Sequence, residues 1–422
     1  MKVLVVGSGG REHAIVRALR RTWDGGGEIE VLCAPGNPGI ERDAICFADV
    51  SDGDVEAIVA LAKDQAVDLV AVGPEVPLVA GLVDACAAEG ITAFGPSAAA
   101  AELEGSKIFS KEIMKAARVP TAAHSVLRSK EEALAQAACA SYPAVFKSDG
   151  LAAGKGVIIC PDEKAARAAI EEYFVEQRFG ETDVILEEFL DGKEVSLIAL
   201  CDGERAYSLT PARDYKRIFD NDEGPNTGGM GAFSPVPEVP PQDIAAISAQ
   251  VHQPIVDEMK RRGTPFHGVL YAGLMLTERG IKVLEYNTRF GDPETQAMLP
   301  RLESNLADLM VAASKPGGLS GTELKRSERA SVTITLASAG YPESSSKGDV
   351  ISGLDDVPDG VEVTHAGTTR NPEGQIVTNG GRVLNVTALG PSVADARAAA
   401  YAAAELISFP GRQSRSDIAA GI

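Results

Sequence analysis

SDGLAAGKGV, Ser148 to Val157, is the stretch on which the fold turns. Its glycines let the backbone approach phosphate oxygens, and its lysine can neutralise them. A Walker A loop, however, needs Ser or Thr after the lysine and a helix behind it. Here Lys155 is followed by Gly156 and then by Val157 to Cys160, a β-branched run that reads as a strand. The loop Gly150 to Gly156 is therefore expected to join two strands, the first being Ala144 to Lys147, as a glycine flap. Taken alone, a surface hairpin with a solvated lysine accounts for it equally well.

A second stretch, IKVLEYNTRFGDPE from Ile281 to Glu294, adds what a glycine loop lacks. Glu285 and Asn287 stand two residues apart, so on a strand their side chains share a face. A carboxylate beside a carboxamide suits a hard cation such as Mg2+, which takes oxygen ligands and shares them with substrate phosphates. A lone E-x-N is more often an ordinary polar strand tip. If Leu270 to Leu276 and Ile281 to Asn287 form a hairpin with a four-residue turn, Glu285 faces Ala272 and Asn287 faces Leu270. The partner strand then supplies no second carboxylate.

The 422 residues leave room for roughly three domains and a sizeable core. A formal net charge of -20 argues against a general binder of nucleic acid or anionic membrane. Phosphates must then be met by local lysines, arginines and backbone N–H groups. No apolar run is long enough to span a bilayer, and Met1 leads into KVLVV without a basic segment or cleavage pattern, so a cytoplasmic protein is expected. Cys33, Cys46, Cys86, Cys139, Cys160 and Cys201 lack CxxC spacing and mostly sit in apolar contexts, as small buried thiols do. The five histidines form no close pair of metal-ligand type.

Residues 1–103 alternate strands (Lys2 to Val6, Glu30 to Ala34, Leu69 to Val72, Ile91 to Phe94) with helical stretches (Arg11 to Arg20, Asp54 to Gln65, Pro77 to Glu89). That is the pattern of an open parallel sheet covered by helices. Ligands bind beyond the carboxyl ends of such strands, so the loops Gly7 to Glu12, Ala34 to Gly39, Gly73 to Glu75 and Gly95 to Ser97 should converge. GSGGRE is not a dinucleotide fingerprint, because Glu12 replaces its third glycine and no acid follows the second strand. A helix N-terminus with Arg11 suits instead the phosphate monoester of a small substrate.

Residues 104–328 read as an α+β region with a small lobe, about 120–192, inserted. Its elements are the helix Lys107 to Arg118, the two flap strands, the helix Asp162 to Gln177, and strands at Val184 to Phe189, Glu194 to Cys201 and Arg205 to Thr210. Residues 211–240, rich in Gly, Pro, Asn and Asp, read as one long functional loop. Asp243 to Arg262 reads as one helix. A third unit, 329–422, is marked by strands at Ser331 to Ala337, Val361 to Gly367 and Arg382 to Ala388 and by a helix at Val393 to Ile407.

Taken together, GSGGREHA, GPEVPLVAG, FGPS with LEGSK, SDGLAAGKGV, EEFLDGKEVS, DYKR with GPNTGGMGAFSP, and EYNTRFGDPETQ resemble the phosphoribosylamine-glycine ligase (glycinamide ribonucleotide synthetase) family of the ATP-grasp superfamily. The resemblance runs on through HAGT at His365 to Thr368 and NGGRVLNVTALG at Asn379 to Gly390, and so covers essentially the whole chain. It implies an α/β and α+β multidomain fold: an N-terminal open parallel α/β sheet, an ATP-grasp core with an inserted lid lobe, and a C-terminal α+β domain. It also implies an ATP-dependent ligase joining 5-phosphoribosylamine to glycine through a glycyl phosphate, in de novo purine biosynthesis. Such an enzyme is expected to be a cytoplasmic monomer with no nucleic-acid or membrane partner.

By the same resemblance, Lys107, Lys147, Gly154, Lys155 and Gly156 would meet the ATP phosphates. Glu187, Glu188 and Phe189 would meet adenine through their backbone, and Glu194 the ribose. Glu285 and Asn287 would hold Mg2+ or Mn2+. Arg289 would grip the glycine carboxylate bidentately; an ion pair with Asp292 that shapes the loop is the alternative. Gly9, Gly10, Arg11 and Asn37, with Gly73, Pro74, Glu75 and Asp292, would hold substrate in the N-terminal crevice. Asp214, Lys216, Asn226 and Thr227 would close over the junction, with Asp214, Lys216 and Arg289 at the chemistry. Where the family has K-A-D and Q-D-H-K-R, this chain has Lys147-Ser148-Asp149 and Arg213-Asp214-Tyr215-Lys216-Arg217, so in the second motif only Asp214, Lys216 and Arg217 carry over.

Overall fold

Along the strand Lys2–Gly7, Val3 and Val5 enter one apolar cluster while Leu4 and Val6 enter another, so both faces of the strand are buried. Such a strand belongs at the centre of a parallel sheet. It pairs in parallel with Glu30–Pro35 and Leu69–Val72, and the edges are Ile45–Cys46 and Ala93–Phe94. The computed structural model describes residues 1–21, 27–151 and 156–422. The two-residue edge strand Ile45–Cys46 is too short to give a sequence pattern. The helix expected over Pro77 to Glu89 is two, Glu75–Val79 and Leu82–Ala88, because Gly81 between them takes φ 86°, which no helix interior allows.

The lid lobe is a four-stranded antiparallel sheet in the order His124–Leu127, Val184–Glu188, Ala144–Ser148, Val157–Cys160. Lys147 pairs with Val157 across the last two strands, so the glycine loop does connect strand to strand. Gly154 and Lys155 lie outside the described residues.

A larger antiparallel sheet runs Ala206–Ser208, Lys193–Asp202, His267–Thr277, Gly280–Asn287. Its hairpin keeps the expected register at Leu276 with Ile281 and at Leu274 with Val283, then slips by one at a bulge. Glu285 therefore faces Gly273 and Asn287 faces Tyr271, rather than Ala272 and Leu270. The extra residue is Leu284. A bulge leaves its residue out of the ladder, and here the Leu284 carbonyl accepts from Lys147 Nζ at 3.4 Å.

Residues 211–240 are not a structureless loop. Arg213–Asp214 pairs with Gly231–Ser234, which pairs with Ala330–Ala337; Arg382–Gly390 and Val361–His365 complete a five-stranded sheet. Arg217–Phe219 and Glu223–Asn226 form a separate short ribbon. Glycine and proline hide these short strands from a propensity reading, yet Gly231 to Ser234 are all buried. The sheet of the C-terminal unit thus begins more than a hundred residues before position 329. The helix expected over Asp243 to Arg262 divides into Pro241–Val251 and Gln253–Arg261, with Pro254 unable to donate at the junction. Among the described residues no helix is long and apolar enough to cross a membrane.

Candidate active site

The carboxyl ends of the N-terminal strands, the lid lobe, the Gly280–Asn287 strand and the C-terminal sheet meet around a cavity of about 330 Å³. On the lid side its wall is a buried ion triad. Glu187 stands 2.9 Å from Lys111 Nζ and 2.9 Å from Lys147 Nζ, with side chains 3%, 4% and 9% exposed. Burial works to raise the Glu187 pKa, but the two ammoniums outweigh it and hold it below the ordinary carboxylate value. Lys111 also donates to Thr121 Oγ1 at 2.7 Å. Lys107 lines the same cavity and donates to the Gly150 carbonyl at 2.8 Å. Burial lowers the pKa of both Lys107 and Lys111.

The residues expected to meet adenine lie on the lid strand that carries this triad and just past its end. Glu187 lies on a strand paired on both sides, and the Glu188 N–H is taken up by Ala123 O at 2.9 Å. The Glu188 carboxylate pairs outward with Lys282 at 2.6 Å. Phe189, past the strand end, keeps its backbone groups free of hydrogen bonds among the described residues.

Glu285 and Asn287 both line the cavity, as the i, i+2 spacing requires. Among the described residues Glu285 has no ion pair within 4 Å and no hydrogen bond to its carboxylate. Burial raises its pKa, but Lys216, Lys147, Lys107 and Arg289 together prevail and keep it ionised below the ordinary value. An ionised, unpartnered carboxylate beside a carboxamide fits a divalent cation. No group of three or more His, Cys, Asp or Glu side chains able to hold a metal occurs among the described residues, so a cation held by this pair would need its remaining oxygens from elsewhere.

Arg289 does not pair with Asp292. Its Nε contacts Glu75 at 3.2 Å, its Nη2 contacts Glu104 at 2.9 Å, and further donors reach Phe290 O and Asn287 Oδ1 at 3.3 and 3.5 Å. Asp292 instead faces Arg382 at 3.3 Å and accepts from Gln296 at 2.7 Å. Glu104 accepts from the Thr288 N–H at 2.7 Å, which fixes the turn that aims Arg289.

Asp214 and Lys216 line the cavity, and Lys216 pairs with Glu194, which itself lies behind the wall. Burial pushes Asp214 up to about 8, with Lys216 opposing. Thr227 lines the cavity and donates to the Lys216 carbonyl at 2.8 Å. Asn226 does not reach it; it sits opposite Arg217 in the short ribbon.

On the N-terminal side Arg11 and Glu75 face the cavity. Arg11 donates to Glu12 Oε1 at 2.6 Å and to Phe290 O at 3.1 Å. The Gly9 N–H, expected to be open to an anion, donates to Glu12 Oε2 at 2.7 Å. Gly10 is covered by Asn385 and Gln296. Asn37 is fully engaged within the protein: it donates to Ser8 O and His365 O and accepts from Gly39 N–H and Ile40 N–H, at 2.8 to 3.0 Å. Its side chain therefore shapes the crevice rather than presenting a free donor to a substrate. Gly73 packs against the Glu12 carboxylate, and Pro74 opens the short helix that carries Glu75.

Three family models match the chain in order: phosphoribosylglycinamide synthetase N domain over residues 1–104, its ATP-grasp (A) domain over 105–295, and its C domain over 331–421. The chain belongs to the phosphoribosylglycinamide synthetase family. It is 49% identical over 426 residues to a phosphoribosylamine–glycine ligase of Streptomyces coelicolor, covering 100% of this chain and 99% of that one. With the Xanthomonas campestris ligase the identity is 46%, over 99% and 97% of the two chains. The crystal structure of phosphoribosylamine–glycine ligase from Thermotoga maritima matches with a TM-score of 0.84 at 32% identity, over 99% of this chain and 100% of that one. A biotin carboxylase domain from Hydrogenobacter thermophilus shares the fold, with a TM-score of 0.71 at 20% identity over 98% and 91%.

Within this synthetase fold, several cavity residues escaped the sequence reading. Lys111 lies one helical turn after Lys107, an i, i+4 spacing that would have placed both on one face. Glu104, Glu294 and Arg382 gave no local signal, because their partners are distant in sequence. Glu294 accepts from Ser196 Oγ and Tyr271 OH at 3.0 and 2.9 Å, and Arg382 donates to Gly228 O and Asp292 O at 2.7 Å.

Proposed function

We propose that this phosphoribosylglycinamide synthetase joins 5-phosphoribosylamine to glycine, with ATP cleaved to ADP and phosphate and glycyl phosphate as the intermediate. The supporting observation is a single cavity that brings Arg11 and Glu75 of the N-terminal sheet together with the lysines of the lid and with Glu285, Asn287 and Arg289. Carboxylate oxygen is a poor leaving group, so phosphorylation of glycine must precede attack by the amine. Lys107 and Lys147 orient the ATP phosphates; Lys155 is assigned to them from its motif. Phe189 and the turn after it offer the adenine a free backbone edge.

Glu285 and Asn287 hold Mg2+ or Mn2+, which would neutralise charge on the transferring phosphoryl group. Arg289 exchanges Glu75 for the glycine carboxylate, and its contact with Glu104 keeps the guanidinium in place. The ribosylamine enters from the Arg11 side. Asp214, poised near neutrality, takes the proton that the amine loses as its C–N bond forms. Lys216 and Thr227 cover the junction and keep water from the acyl phosphate. The enzyme is placed in the cytoplasm and acts as a monomer.

The test is ADP release with ATP, Mg2+, glycine and freshly generated phosphoribosylamine, omitting each in turn. Release should require all four. Release without glycine, or equal release with bicarbonate in its place, overturns the assignment. Glu285→Ala should abolish turnover while leaving the circular dichroism spectrum unchanged.

A further inference from the structure

Cys33 and Cys46 are register partners on neighbouring parallel strands, so their side chains leave the same face of the sheet, and both pack into one apolar cluster. The other four thiols lie in separate elements: a helix, two strands of other sheets and a loop. Cys33 is wholly buried, whereas Cys46 is half-buried and can be reached from outside. We infer that Cys33 and Cys46 are an oxidant-responsive dithiol, which peroxide closes to a disulfide and whose closure loosens the loops that begin at Gly7 and Gly36.

The Cys33 thiol donates to the Gly7 carbonyl at 3.3 Å, and the Cys46 thiol is its register partner on the next strand. The neighbouring Cys33 thiol lowers the Cys46 pKa against the effect of burial, and the Cys46 thiol together with burial raises that of Cys33. Cys46 is thus the thiolate-forming member, and thiolate is the nucleophile. Attack by Cys46 sulfur on a peroxide oxygen gives a sulfenic acid and releases hydroxide. Cys33 sulfur then displaces that hydroxyl, forming the S–S bond and releasing water. The hydroxide takes up the proton that Cys46 gave up, so two thiols lose two protons and two electrons and one peroxide becomes two waters. The strand Ile45–Cys46 has only two ladder partners and sits at the sheet edge, so it can shift toward Cys33.

Closure acts on the loops through two contacts. The Gly7 carbonyl accepts from Cys33 and also from the Gly36 N–H, the latter at 3.2 Å. A disulfide removes the first of these donors. Gly36, at φ 76°, sits so tightly on Cys46 that a Cβ there would lie 2.5 Å from its sulfur, so displacement of that sulfur withdraws the support beneath it. Gly7 leads to Arg11 and Gly36 to Asn37. That these loops meet ribosylamine rests on the function proposed above; the bond and the loosening do not.

The test exposes the full chain to hydrogen peroxide, beside Cys46→Ser and Cys46→Ala, and maps unreduced peptides by mass. The expected product is a Cys33–Cys46 linked pair two hydrogens lighter, absent from both variants and reversed by dithiothreitol. Amide exchange should quicken on the order of tenfold in residues 7–11 and 34–39 of the oxidised wild type only. Phosphoribosylamine-dependent kcat/KM should fall in parallel while the KM for ATP stays unchanged. Free or singly oxidised Cys33 and Cys46, or a linked pair with unchanged exchange, overturns the inference. Linkage and loosening in a chain that shows no glycine-dependent turnover when reduced would leave the inference standing and refute the proposed function instead.

Discussion

Glu187→Gln is the substitution whose consequence the structure defines most sharply. The carboxylate touches two ammoniums at 2.9 Å each in a site where all three side chains are under a tenth exposed. At an effective dielectric of about 20, each contact is worth about 6 kcal/mol of Coulomb attraction. Desolvation of the carboxylate offsets much of that, and the amide escapes it. What remains is the cost of leaving buried charge uncompensated, which for broken buried pairs is about 3–5 kcal/mol. Urea unfolding at neutral pH should show a loss of this size. Glu187 has a folded pKa below its unfolded one, so its stabilising contribution is present above about 4.5 and fades as pH falls through the lower folded value. The gap between variant and wild type should therefore close in acid. ATP with Mg2+ should restore part of the loss, because phosphate oxygens replace the missing counter-charge for Lys147. A variant within about 1 kcal/mol of wild type at neutral pH would refute the view that this triad is electrostatically coupled.

Three further outcomes are expected. Asp214 binds its proton more tightly in the folded chain, so its contribution to stability should decline as pH rises from about 4 to about 8, and Asp214→Asn should remove that component of the profile in urea titrations across pH. The same variant should lose the rise in kcat/KM near the upper end of that window. Asn37→Ala removes four hydrogen bonds and should cost about 2–4 kcal/mol by thermal unfolding. Gly73→Ala forces a methyl group onto the Glu12 carboxylate and should raise the KM for phosphoribosylamine while leaving the KM for ATP unchanged.

Much of this organisation is legible in local pattern. The unbroken apolar run Val3 to Val6, the β-branched run after Gly156 and the spacing of Glu285 and Asn287 each carry their structural consequence within a few residues. What escaped is what long-range contact decides. The bulge at Leu284 turns a carbonyl toward Lys147 of the lid lobe, a partner far away in sequence. The short strands among residues 211–240 are recognisable only once Ala330–Ala337 is there to pair with them. Arg289 found Glu75 and Glu104 rather than Asp292, because tertiary packing brought distant acids closer than the nearby one. Asn37 and Gly9 were assigned to a ligand where the fold uses their polar groups itself.

The pairing of Ser234 with Ser331 has a consequence for the order of events as the chain is made. A nascent polypeptide emerges from its N-terminus, so the segment bearing Asp214 and Lys216 leaves the ribosome well before the strand that backs it. Until residues 330–337 follow, Gly231–Ser234 has one open edge, and the wall over the cavity has no fixed backing. A chain interrupted near position 328 should therefore retain its parallel sheet and its lid yet expose a sticky strand, and aggregate rather than persist as a soluble two-domain fragment.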